Sequence, residues 1–119
     1  MAIVASLLAW AFLAQASTTH EAKLDDPKTY LKNLAGTDYE ILYCIAEKES
    51  NWKNIPNYLY DGEEGRYTAY GPFQILKSTA LRYSDEDRRD VYANIRIAVK
   101  IFKNEGSKPW LVANQCVNK

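Results

Sequence analysis

The sequence predicts a small, mainly α-helical domain, and three observations carry that prediction. Apolar residues recur at helical spacing in several short stretches, most clearly over residues 90–104. Gly and Pro punctuate the chain between those stretches. Only residues 51–70 lose the helical period for long, and they read as a loop or small hairpin. At 119 residues this is one domain, near the lower edge of what a single core can stabilise without help.

Taken in order, Met1 to Ala16 carry no charged side chain and are almost wholly apolar. Ala14-Gln15-Ala16 supplies the small-x-small pattern of a signal peptide cleaved before Ser17. The run is short for a membrane span, which needs about 20 residues. Its amino-terminal region lacks Lys and Arg, so retention as an anchor is the alternative. Residues 1–16 therefore read as an export signal, 17–36 as an amino-terminal segment with a first helix, and 37–119 as the main domain. Asp26-Pro27 opens that first helix with Pro at its first position, and Gly36 closes it.

Thr37-Asp38-Tyr39-Glu40 reads as a capping box that starts a second helix. Its Ile41, Leu42 and Ile45 share one side. At about 100° per residue, Glu49 falls within roughly 35° of their mean direction, while Glu47 points nearly opposite. Glu47 is thus the solvated carboxylate and Glu49 the one aimed at the core or a cleft. A carboxyl held against apolar surface resists ionising, which suits it to protonate a leaving group. An exported domain built around such a glutamate points to cleavage of an extracellular polymer.

Pro56, Gly62 and Gly65 punctuate the following loop, which is rich in Tyr58, Tyr60, Tyr67 and Tyr70. Tyrosines there either stack on a flat polar ligand or cover a thin core. Gly71-Pro72 is expected to start a third helix, with Leu76, Ala80 and Tyr83 inward. A fourth is expected from about Asp90 to Asn104, stopped by Gly106, with Val91, Ile95, Ala98, Val99 and Phe102 inward. Asn94 is the odd member of that apolar side. A buried amide must find partners, so it is expected to tie down a neighbouring loop.

Composition narrows the function. Lys and Arg total 15 and Asp and Glu total 15, so no clustered cationic excess marks a nucleic-acid partner. One His and two Cys argue against a dedicated transition-metal site, and no cofactor is expected. In an oxidising compartment Cys44 and Cys116 are expected to pair, the alternative being two separate buried thiols. Such a bridge would contribute about 4 kcal/mol in the chain-entropy model.

Glu49-Ser50, then Gly71-Pro72-Phe73-Gln74-Ile75 with Thr79-Ala80, then Asn94-Ile95, resemble the catalytic domain of soluble lytic transglycosylases in the lysozyme-like superfamily. The resemblance covers about residues 38 to 116. Trp110 with Cys116, and Cys44 ahead of Glu49, look like a small exported bacterial branch with a disulfide across the domain. The resemblance implies a lysozyme-like helical fold whose partner is the glycan strand of peptidoglycan. It implies cleavage of the β-1,4 bond between N-acetylmuramic acid and N-acetylglucosamine, giving a 1,6-anhydro product. Glu49 would be acid and then base, Ser50 would support the glutamate or the sugar, and Gln74 would line the cleft, with Phe73, Tyr70 and Tyr67 as further substrate contacts. Family members of the larger type carry an Ala-Tyr-Asn-x-Gly segment whose tyrosine bonds the glutamate. Here Trp110-Leu111-Val112-Ala113-Asn114 stands instead, so either another tyrosine substitutes or burial alone tunes Glu49. A hydrolase of the same fold would recruit Asp61, Glu63 or Glu64 to position water. A non-enzymatic glycan-binding domain would keep the groove alone. Membrane retention through residues 1–16 and an unspecified protein partner complete the expectations.

Overall fold

A computed structural model describes residues 25–57 and 68–116. The leader, His20, Tyr58, Tyr60, Asp61, Glu63, Glu64 and Tyr67 lie outside the described residues. The fold is mainly helical, in keeping with a small lysozyme-like domain. Helix α1 runs Pro27–Ala35, and the side chain of Asp26 caps it by accepting from Thr29 N. Gly36 ends it at φ 58°, where its N–H donates to Lys32 O. A 3-10 turn, Gly36–Asp38, leads into α2, Tyr39–Ser50. The expected capping box does not form, because the chain enters α2 already helical and Asp38 makes no side-chain cap bond. Asn51 then ends α2 in the left-handed region, and Trp52 follows at φ 63°.

Strands β1 (Pro56–Asn57) and β2 (Ala69–Tyr70) pair antiparallel, with Pro56 opposite Tyr70. Strand β3 (Ile75–Leu76) adds to β2, with Tyr70 opposite Ile75. The expected third helix is therefore corrected. Residues 71–74 form a turn closed by Gln74 N donating to Gly71 O at 3.0 Å. Gly71 at φ 84° and Gln74 at φ 48° cannot belong to a right-handed helix, so helix α3 spans only Lys77–Leu81.

Helix α4, Val91–Glu105, is capped by Asp90 and closed by Gly106. It is the centre of the core: Ile95, Ile97, Ala98 and Ile101 are almost wholly enclosed. Helix α1 packs on α4 and α2 through Leu31 and Ala35. A final 3-10 segment, Leu111–Gln115, lies on α2 and is fastened there by the Cys44–Cys116 disulfide, whose Cα atoms are 5.8 Å apart. Among the described residues no helix is long and apolar enough to cross a membrane.

Candidate active site

Glu49 occupies the last turn of α2 and is half-buried, whereas Glu47 is exposed. It opens into a cavity of about 110 Å³ whose other walls are Gln74, Ile75, Leu76, Thr79, Ile101, Pro109 and Trp110. Burial pushes the Glu49 carboxyl above its ordinary value. No cation and no hydroxyl among the described residues bonds it, so exclusion of water sets its tendency to hold a proton. A larger hollow of about 620 Å³ borders the 3-10 turn at Thr37 and α2 as far as Glu47, and reaches Cys116. Its carboxylates, Glu40 and Glu47, are exposed. A general acid needs shielding, so the smaller cavity is the chemical candidate.

The turn after β2 brings Gln74 beside Glu49. Gln74 holds a left-handed backbone, a conformation that costs a residue with a side chain on the order of 1 kcal/mol. Its Nε2 donates to Ile55 O and Gly71 O, both at 3.0 Å. The amide nitrogen is thus fixed by backbone, and Oε1 has no donor among the described residues. A rigid amide with an open acceptor can receive a hydroxyl or N–H from a ligand.

Ser50 Oγ lies 2.9 Å from Pro72 O and 3.2 Å from Ala46 O, so it fastens the end of α2 to the turn. Phe73 is enclosed; its N–H donates to Asn94 Oδ1 at 3.1 Å, and its carbonyl accepts from Trp110 Nε1 at 3.0 Å. Phe73 therefore acts on any ligand only through the shape of the turn. Tyr70 sits on β2 with the Arg88 guanidinium 5.9 Å from its ring centre, and it does not line the Glu49 cavity. Glu49 and Gln74 line one cavity, then, while Ser50, Phe73 and Asn94 are held away from it by backbone bonds.

Asn94 is fully buried in α4. Besides accepting from Phe73 N, it donates through Nδ2 to Tyr70 O at 2.9 Å and to Arg88 O at 2.8 Å. One side chain so joins β2, the turn and the segment ahead of α4. Gly71 makes room for it: a Cβ there would stand 2.3 Å from Asn94 Nδ2.

Two residues escaped the sequence reading. Arg88 is buried and donates to Ile75 O through Nε and to Thr68 O through a terminal nitrogen, each at 2.8 Å. It lies in a run of charges, and nothing in that run separates it from exposed Arg89. Trp110 was visible as part of a motif but not as a wall of the cavity.

Residues 28–110 match the family model of the transglycosylase SLT domain, and the chain belongs to that family. This is a family of peptidoglycan lytic-transglycosylase-type activity, and the matched span runs from the first turn of α1 to Trp110. No curated protein and no solved structure matches the chain.

Proposed function

We propose that the protein cleaves the β-1,4 bond between N-acetylmuramic acid and N-acetylglucosamine in peptidoglycan without water, using Glu49 as its acid and base. The observation that carries this reading is the shielded Glu49 carboxyl, which faces a cavity walled by Gln74 and Trp110. Glu49 gives its proton to the glycosidic oxygen as the bond to the anomeric carbon breaks. Its carboxylate then takes the proton of the muramyl 6-hydroxyl, whose oxygen attacks that carbon and closes the 1,6-anhydro ring. The glutamate ends protonated as it began, and no other reactant is consumed. Gln74 Oε1 would hold a sugar hydroxyl or acetamido N–H beside the reacting bond. An apolar, confined cavity favours the internal hydroxyl over water.

The remaining proposals follow from this reaction. Residues 1–16 serve as the export signal, since the substrate and the disulfide both belong outside the cytoplasm. The glycan strand is the partner, and no cofactor takes part. Mass spectrometry of peptidoglycan digested by the protein and by Glu49→Gln tests the reading. Anhydromuramyl ends with the first protein and none with the second are expected. Reducing-end muramic acid would establish hydrolysis instead, and would direct attention to Asp61, Glu63 and Glu64. Binding of glycan without any product from either protein would leave a binding domain.

A further inference from the structure

The Glu49 cavity has one large wall whose position is fixed from two directions. Trp110 is only 5% exposed, and its indole Nε1 donates to Phe73 O at 3.0 Å. Its one polar atom is thereby engaged, so the ring meets the cavity as hydrocarbon. Phe73 is held in turn by Asn94, and the Phe73 and Trp110 ring centres are 6.1 Å apart. From the other direction, a succession of short-range bonds ties Trp110 to Cys116. Trp110 N donates to Ser107 O, Ala113 N to Trp110 O, and Cys116 N to Ala113 O. Cys116 is joined to Cys44, which lies on the same helix as Glu49. The helix that carries the carboxyl thus also carries, through one covalent bond, the segment that bears its wall.

Resting on the proposed reaction, we infer that Trp110 is the positioning residue of this site: it keeps water from Glu49, and the Cys44–Cys116 bridge keeps Trp110 in place. No other titratable group among the described residues lines the cavity. Lys48 on α2, Lys77 on α3 and Lys108 after α4 are exposed and are not among its walls. With no cation or donor among the described residues to compete, the wall decides how readily the carboxyl holds its proton. The tyrosine hydroxyl of larger relatives would then be replaced here by exclusion of solvent. The arrangement also makes the site sensitive to oxidation, because one of the wall's two fastenings exists only once the bridge has formed.

The test follows the Glu49 carboxyl by carbon-13 NMR titration in the oxidised protein, alongside the pH profile of glycan cleavage. Trp110→Leu removes the aromatic wall, while Trp110→Phe keeps a smaller aromatic ring and loses the bond to Phe73. In Trp110→Leu the Glu49 midpoint should fall toward the ordinary carboxylate value, with a smaller fall in Trp110→Phe. The alkaline limb of kcat/KM should move down equally, because a general acid works only while protonated. The Cys44→Ser, Cys116→Ser double variant should shift the midpoint in the same direction. Lost activity with an unmoved midpoint in a folded variant would overturn the inference and leave Trp110 a packing residue. If Trp110→Leu fails to fold, Trp110→Phe decides by the same criterion. An unshifted midpoint in the folded double cysteine variant would remove the bridge from the argument. The titration needs no turnover, so a shifted midpoint without anhydromuramyl product would sink the proposed reaction while the wall stood.

Discussion

Asn94 and Glu49, two of the polar side chains withdrawn from solvent, are treated in opposite ways. Asn94 is completely buried, and its carbonyl and both amide hydrogens meet backbone partners from three segments. Glu49 is half-buried and meets no partner among the described residues. A buried polar group with its partners supplied contributes to structure, since removing it leaves those partners unsatisfied. A shielded ionisable group without partners is a cost to the fold, and such groups concentrate where chemistry is done. The contrast sets a rigid site against the one proposed to react, and it can be broken.

The largest expected effect is on turnover. Glu49→Gln should lower kcat for glycan cleavage by about 10²–10⁴-fold, the usual contribution of a positioned acid or base. The variant should retain glycan binding, measured by pull-down with insoluble peptidoglycan. Retained turnover would place the acid elsewhere and end the contrast from one side.

Next in size is the damage at the other pole. Asn94→Ala leaves Phe73 N–H, Tyr70 C=O and Arg88 C=O without their partner, which should cost on the order of 3 kcal/mol. In a domain of this size that lowers Tm by more than 10 °C, roughly, as read by calorimetry. Gly71→Ala attacks the same knot from outside. Its Cβ would overlap the Asn94 amide, and its φ of 84° disfavours any side chain, so roughly 2 kcal/mol is expected. A double-mutant cycle of the two should be strongly non-additive, because both remove one clamp. Additive losses would show that the turn and α4 are held by separate means.

The same contrast explains what could be read in the sequence. Asn94 and Glu49 were both legible, because each interrupts an apolar helical face that spacing alone defines. Helices α1 and α4 were legible from Asp26-Pro27, Gly36, Asp90 and Gly106, whose capping roles are local. The pairing of Cys44 with Cys116 was legible because no third cysteine competes. What failed depended on distant partners. Gly71-Pro72 looks like a helix start, but Asn94 and Ile55 hold the turn that forms there, and Gln74 goes left-handed to bring its amide to Ile55 O. Thr37 to Glu40 has a capping box's composition, yet the 3-10 turn after Gly36 leaves it no helix end to cap. The burial of Arg88 depends on carbonyls of β3 and of the residue before β2, which no local pattern announces.

The smallest effect is the most diagnostic, because it concerns stability at the site of reactivity. Burial raises the pKa of Glu49 above 4.5, so the native state disfavours its carboxylate. That cost is absent below the unfolded value, where glutamate is protonated in both states. It grows as pH rises through the folded value and is complete above it. Glu49→Gln removes it, so the variant should be more stable than the parent at neutral pH. The gain should shrink as pH falls toward 4.5 and disappear below it. Glu86 supplies the opposite sign. Arg96 Nε donates to it at 2.9 Å and holds its pKa down, so its contribution is present above the ordinary carboxylate range and lost as pH falls through the folded value. Glu86→Gln should therefore be less stable than the parent at neutral pH, with the difference fading in acid. Thermal melts of both variants across pH should give difference curves of opposite sign that converge at low pH. A Glu49→Gln curve that is flat, or that follows Glu86→Gln, would mean that Glu49 is satisfied in the native state, and the division between the two buried poles would fail at the residue that defines it.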